Sequence, residues 1–209
     1  MPASAPIKVL SVDDHPLVRD GISFAIQSQA DMVVVAEAAN GREAVEMFRQ
    51  HQPDVTLMDL NMPVMNGIDA TTEIKRIAPA ARVLVLTTYS GDMQAARALR
   101  AGADGYLLKG ALRKELVGAI RDIHSGRRRI QPEVAQDLAE HFDADRLSSR
   151  EIDVLRSVAA GCSNKVVAHK LYISEDTVKG HMKSIMGKLQ ANDRTHAVLI
   201  AMRRGFFDS

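Results

Sequence analysis

From Ile7 to Ser125 the chain repeats one alternation, a short run of β-branched and apolar residues followed by a longer stretch with apolar residues three and four apart. The short runs Ile7–Val12, Met32–Ala36, Asp54–Met58, Arg82–Leu86 and Gly105–Leu108 read as five strands. Several are apolar at nearly every position, as expected of a parallel sheet covered by helices on both faces. The stretches Leu17–Gln29, Gly41–Gln50, Ile68–Ile77, Asp92–Ala101 and Leu112–Ser125 read as those helices; Ala44, Val45 and Phe48 show the spacing in the second. Five such units predict a doubly wound α/β domain around a parallel five-stranded sheet.

The pattern stops at Gly126-Arg127-Arg128-Arg129, and Pro132-Glu133 opens a short helical segment to about Phe142. Residues 126–145 therefore read as a linker between a domain at 1–125 and a second at 146–209. From Leu147 no strand-like run follows. Four helical segments are separated by turn signals at Gly161-Cys162-Ser163, Ile173-Ser174 and Ala191-Asn192-Asp193. Ser148 with Glu151 three residues on is a capping box that starts the first of them.

Charge separates the two ends. Residues 1–125 hold 13 Lys+Arg against 15 Asp+Glu (net −2), 126–145 hold 3 against 5 (net −2), and 146–209 hold 11 against 6 (net +5). Only the last segment attracts polyanions. The single cysteine, Cys162, excludes an intramolecular disulfide, and no Cys/His spacing suits zinc, which fits a reducing compartment. No stretch approaches the ~18 apolar residues of a membrane span. These features predict a soluble, cytoplasmic protein.

Ligands of open parallel sheets bind beyond the carboxyl ends of the strands. Asp13 and Asp14 follow the first strand, Asp59 follows the third, Thr87 ends the fourth and Lys109 ends the fifth. Each has a plain structural role: Asp14 suits the cap of the next helix, Thr87 is at home in a sheet and Tyr106 in packing. Cooperating polar groups at four strand ends of five weigh the other way. An all-oxygen donor set favours a hard cation, and Mg²⁺ suits a site with few protein ligands. Acids, cation, hydroxyl and lysine together describe a phosphoryl site.

In the basic third, Val178, Met182, Ile185 and Leu189 form one stripe of a helix at Ser174–Leu189. Opposite lie Asp176, Gly180 and Gly187, with Lys179 and Lys183 toward one flank and Thr177, His181 and Lys188 toward the other. The preceding helix, Asn164–Leu171, is separated by Tyr172 and Ile173 alone, which is helix-turn-helix spacing. By periodicity alone, an ordinary helical hairpin with a solvated basic face fits equally well.

The letters are more specific. Residues 7–125 resemble the receiver domain of two-component response regulators: V-D-D at Val12 to Asp14, M-D-L-N-M-P at Met58 to Pro63, Gly67, L-T-T at Leu86 to Thr88 and G-Y-L-L-K at Gly105 to Lys109. The resemblance implies a flavodoxin-like fold. It implies that Asp59 accepts a phosphoryl group from a sensor histidine kinase, and that Asp13, Asp14, Asp59 and the backbone carbonyl of Asn61 hold Mg²⁺. Lys109 then pairs with the phosphoryl oxygens, and Thr87 and Tyr106 form a switch in which Thr87 moves to the phosphoryl group and Tyr106 turns inward. Gly110 departs from the proline common after the lysine.

Residues 147–197 resemble the LuxR-type output domain of the NarL/FixJ subfamily. The matching letters are L-S-S-R-E at Leu147 to Glu151, Val154-Leu155, G-C-S-N-K at Gly161 to Lys165, I-S-E-D-T-V-K-G-H at Ile173 to His181, Lys188-Leu189 and Arg194-Thr195. This implies binding to double-stranded promoter DNA, with Lys179, Gly180 and Lys183 toward bases and Lys165, Thr177, Lys188 and Arg194 toward phosphates or the supporting surface. Gly180 stands where a larger residue is common; it either admits a close approach to the groove or contributes nothing. The last helix, with Val198, Ala201 and Met202 on its apolar face, either packs internally or, as the resemblance implies, forms a homodimer contact. RNA polymerase is a further partner by this resemblance. The rivals are a phosphohydrolase with an Asp nucleophile and a regulator that binds DNA constitutively through a receiver used only to dimerise.

Overall fold

The β-branched runs form strands β1 (Ile7–Val12), β2 (Met32–Ala38), β3 (Val55–Asp59), β4 (Val83–Thr87) and β5 (Gly105–Leu108), joined by a short β6 (Arg129–Ile130). In the computed structural model, which describes residues 5–88, 92–130, 135 and 147–206, these strands make one sheet in the order β2-β1-β3-β4-β5-β6. Every pairing is parallel. The chain divides into two compact units, residues 1–90 with 95–135 and residues 91–94 with 136–209.

The first unit interleaves its strands with α1 (Pro16–Gln27), α2 (Gly41–His51), α3 (Gly67–Ile77), α4 (Asp92–Arg100, of which residues 95–100 fall in this unit) and α5 (Leu112–His124). Pro16 opens α1, where its missing N–H costs no hydrogen bond. Asn40 caps α2 by accepting from the backbone N–H of Arg42 and Glu43, and Asn66 caps α3 by accepting from that of Asp69. On one face of the sheet Val9, Leu57, Leu84, Leu86 and Leu107 pack with Ile22 and Ile26 of α1 and Leu116 and Ile120 of α5. Because β1 lies between β2 and β3, chain direction around the sheet reverses there, opening a crevice at the strands' carboxyl ends.

Three details depart from the sequence reading. β2 runs two residues further, since Ala38 pairs with Val12. Asp59 is the last residue of β3, in register with Leu86, rather than the first of the loop. The sheet gains β6 from the arginine run read as linker. There the Arg129 N–H donates to the Asp104 carbonyl at 3.2 Å. Its guanidinium pairs with Glu115 at 3.0 Å and Asp122 at 3.3 Å, both on α5. Ion pairs thus hold a charged segment at the sheet edge that its strand propensity would not place there. Of the linker helix expected from Pro132 to Phe142, Ala135 alone lies within the described residues.

The second unit carries α6 (Ser149–Ala159), α7 (Asn164–Leu171), α8 (Glu175–Lys188) and α9 (Arg194–Arg204). Ser148, Ser163, Ser174 and Asp193 cap them in turn, each accepting from a backbone N–H of the first turn, and the Ser148–Glu151 capping box is complete. Val154, Leu155, Val167, Val178, Met182, Ile185, Leu189 and Ala197 form its core.

Gly67 bears directly on the crevice. A Cβ there would stand 1.9 Å from the Asp59 carbonyl oxygen, so α3 starts pressed against the end of β3. Around Gly180 of α8, by contrast, a Cβ meets nothing within 4 Å. Gly67→Ala is therefore expected to destabilise the protein by about 1–3 kcal/mol, the neighbour being backbone that has little room to give. Gly180→Ala should stabilise its helix by up to ~1 kcal/mol. Urea unfolding followed by circular dichroism checks the pair, and an unchanged Gly67→Ala midpoint would contradict the close approach.

Candidate functional site

β1 and β3 end side by side and deliver Asp13 and Asp59 to one point, both buried, while Asp14 sits half-buried at the rim. Lys109, the first residue after β5, reaches between them. Its Nζ lies 2.7 Å from Asp13 Oδ2 and 3.2 Å from Asp59 Oδ1. The other oxygen of Asp13 accepts the His15 backbone N–H at 3.0 Å, and Asp59 Oδ1 also accepts that of Leu60 at 2.9 Å. Arg19 of α1 donates to the Asp13 carbonyl at 2.6 Å, which anchors the loop.

Burial pushes the Asp59 carboxyl up to about 6; the charge of Asp13 adds to this, while Lys109 and the Leu60 N–H oppose it. For Lys109, burial works against the ammonium, but the hydrogen bond to Asp13 and the charge of Asp59 outweigh it and raise its pKa. Asp13, Asp14, His15 and Asp59 each offer one ligand atom within 4.8 Å of the others. Three carboxylates against one ammonium leave the pocket short of positive charge, and their oxygens suit a hard divalent cation. Asn61 follows two residues after Asp59 in the adjoining loop, half-buried.

His15 escaped the sequence reading. Its Nδ1 lies 2.7 Å from Asp14 Oδ1 while the ring stays mostly exposed. The D-D-H run was the available signal, masked by the two acids beside it.

Thr87 ends β4 and is buried, and Tyr106 on β5 is fully buried. The two side chains share a hydrogen bond, and burial raises the Tyr106 phenol against that bond's opposing effect. Tyr106 is thus already turned inward in this structure. No side-chain shape blocks the position after Lys109, since a Cβ on Gly110 meets nothing within 4 Å.

In the second unit the stripe Val178, Met182, Ile185 and Leu189 is buried, and Lys165, Thr177, Lys179, Gly180 and Lys183 are exposed. Lys179 pairs with Asp176 one turn back at 2.9 Å. Thr177 Oγ1 shares a 2.8 Å hydrogen bond with the capping Ser174. The other two expected DNA residues are engaged inside the unit. Lys188 Nζ lies 2.7 Å from Glu151 Oε2, and Arg194 donates to the Cys162 carbonyl at 3.1 Å. On α9, Ala201 is fully buried, with Val198 and Met202 packed on the same core; the residue facing outward is Leu199, 60% exposed. Of the two readings of this apolar face, internal packing therefore accounts for most of it, since Ala201 is buried and Val198 and Met202 pack on the core.

A parallel sheet with an acid-and-lysine pocket at its switch point, followed by a capped helix-turn-helix, defines a receiver domain with a helical output domain. The family of response regulator receiver domains matches residues 9–121, and the luxR family of bacterial regulatory proteins matches residues 145–201. The chain is 40% identical to the response regulator VraR of Staphylococcus aureus, over 94% of this chain and 97% of that protein. It is 37% identical to the transcriptional regulatory protein LnrK of Bacillus subtilis, over 95% and 98%. Among solved structures it resembles the response regulator ChrA of a heme-sensing two-component system, with TM-score 0.59 at 38% identity over 97% of this chain and all of that one. RcsB of Salmonella typhimurium gives TM-score 0.70 at 27% identity, over 92% and 98%. The chain belongs to the two-component response regulators with a LuxR-type DNA-binding domain, and so to regulators of transcription rather than to the phosphohydrolases. None of its described helices is long and apolar enough to cross a membrane.

Glu151 supplies a test by pH. Burial raises its carboxyl, but hydrogen bonds from Lys188, the Ser148 backbone and Ser184 outweigh this and hold it at about 2. Protons therefore bind the unfolded chain more readily than the folded one. The stabilisation is whole above pH 4.5, the group's ordinary value, and is lost as pH falls toward 2. Thermal melts of the parent and Glu151→Gln should differ most at neutral pH and converge in acid; a difference that widens on acidification would contradict the assignment.

Proposed function

We propose that Asp59 accepts a phosphoryl group from a cognate sensor histidine kinase in the cytoplasm, and that this modification controls dimerisation and promoter binding. The observation that carries this reading is the Lys109 ammonium bridging Asp13 and Asp59 at 2.7 and 3.2 Å. An Asp59 oxygen forms a bond to phosphorus as the bond to the kinase histidine nitrogen breaks. Lys109 then turns from the carboxylate to the phosphoryl oxygens, offsetting charge as it develops there.

The donor set fits Mg²⁺, held by Asp13, Asp14, Asp59 and the Asn61 backbone carbonyl. When bound, the cation neutralises the incoming phosphoryl group and relieves its repulsion by the acids. Thr87 is the switch hydroxyl. Moving it to the phosphoryl group exchanges its bond to Tyr106 for one to the new oxygens, which shifts the balance between two packings of that edge.

Residues 126–145 join the phosphoacceptor domain to the DNA-binding one. There α8 enters the major groove of double-stranded DNA, with Lys179, Gly180 and Lys183 toward the bases and Lys165 and Thr177 nearer the phosphates. RcsB has been seen as two dimers bound to two parallel DNAs, and we assign a homodimer to this chain as well. Its α9 contact uses the outward Leu199 beside Val198 and Met202, because Ala201 is inside the core. DNA-bound dimers place the output domain beside RNA polymerase.

Asp59→Ala is expected to abolish incorporation of phosphate from acetyl phosphate while leaving the fold intact, and excess chelator should suppress labelling of the parent. Labelled Asp59→Ala would move the acceptor elsewhere, and undiminished labelling in chelator would remove the cation from the reaction.

A further inference from the structure

The four residues Ser148-Ser149-Arg150-Glu151 reach the ends of both helices of the helix-turn-helix. Glu151, 4% exposed, accepts from Ser184 Oγ at 2.7 Å and from Lys188 Nζ at 2.7 Å, both in the last half of α8. Its neighbour Arg150 donates to the carbonyl of Leu171, the last residue of α7. The same glutamate closes its own helix cap by accepting the Ser148 N–H at 2.6 Å.

We infer that Arg150 and Glu151 form a clamp that sets how α8 is carried, and that Ser184 and Lys188 are positioning residues of this clamp rather than contacts to DNA. This rests on the reading that α8 enters the groove. The apolar stripe alone does not fix α8, because apolar burial has no direction and tolerates a roll of the helix about its axis. Hydrogen bonds to a buried carboxylate do have direction. Ser184 and Lys188 are four residues apart and share one line of the helix, as do Lys179 and Lys183. The two lines differ by one residue, about 100° around the axis, so holding the first fixes where the second points. Lys188 cannot leave for a phosphate without stranding a buried carboxylate, which is strongly unfavourable. Its partner Glu151 is held at about 2, so the clamp is charged throughout the neutral range.

The test uses the full-length protein and two duplexes, one enriched from a random pool by the parent and one of unselected sequence. Lys188→Met should lower the preference for the enriched duplex about tenfold while leaving the salt dependence of binding unchanged, and Lys188→Arg should restore most of it. Ser184→Ala should act in the same direction more weakly, and it is judged by the same two readouts if Lys188→Met fails to fold. A phosphate contact would instead weaken both duplexes alike and cut the salt slope by about one unit; that result overturns the clamp, as does a preference that does not move. Lys183→Ala, measured in parallel, separates the two readings. If it leaves the preference intact, the orientation of α8 in the groove is wrong, whatever Lys188 shows.

Discussion

Two buried carboxylates a few ångströms apart hold together because one ammonium lies between them. Without Lys109, Asp13 and Asp59 would each face the desolvation cost of a buried charge and the repulsion of the other. The rest of the first unit serves this arrangement. The β1/β3 pairing brings the acids level, β5 delivers the lysine, and Gly67 lets α3 close on the back of Asp59. The site is thus a property of the sheet's strand order, and sequence-distant residues meet there because the chain reverses direction at β1.

The second unit solves a related problem with the opposite outcome. Glu151 is also buried and also faces a lysine, but it receives an ammonium, the Ser184 hydroxyl and the Ser148 backbone N–H together. Its carboxyl falls to about 2, whereas Asp59, which shares Lys109 with Asp13, rises to about 6. Burial and the neighbouring charge of Asp13 raise Asp59, whereas the hydrogen bonds gathered on Glu151 outweigh its burial. Asp59 thus keeps its proton to a higher pH than an ordinary carboxyl, while Glu151 stays charged and acts as a fixed post. Tyr106 already lies inside, hydrogen-bonded to Thr87.

Much of this was legible in the chain. Strand runs, helix faces and capping residues are local, so periodicity located β1 to β5 and the described α-helices of both units to within a few residues, and the motif letters marked Asp13, Asp14, Asp59, Thr87 and Lys109 before their convergence was visible. What escaped were pairings between distant segments. Glu151 was read only as the partner of Ser148 three residues away, because spacing cannot show Ser184 and Lys188 arriving from another helix. For the same reason spacing left open whether Lys188 serves the phosphates or the supporting surface, and whether Ala201 packs internally or at a contact. β6 was missed because two residues of a charged run carry no strand signal; its place is set by Asp104, Glu115 and Asp122.

That two-residue strand has a bearing on where the receiver can be cut. It covers the first half of the outer edge of β5, pairing Gly105 with Arg129 and Tyr106 with Ile130. A fragment ended at Ser125, where the helical pattern stops, would leave the β5 backbone with unpaired donors and acceptors along a free margin. Bare margins of this kind are templates for strands from other molecules, so a boundary set after Ile130 rather than at Ser125 keeps these pairings and blunts that hazard.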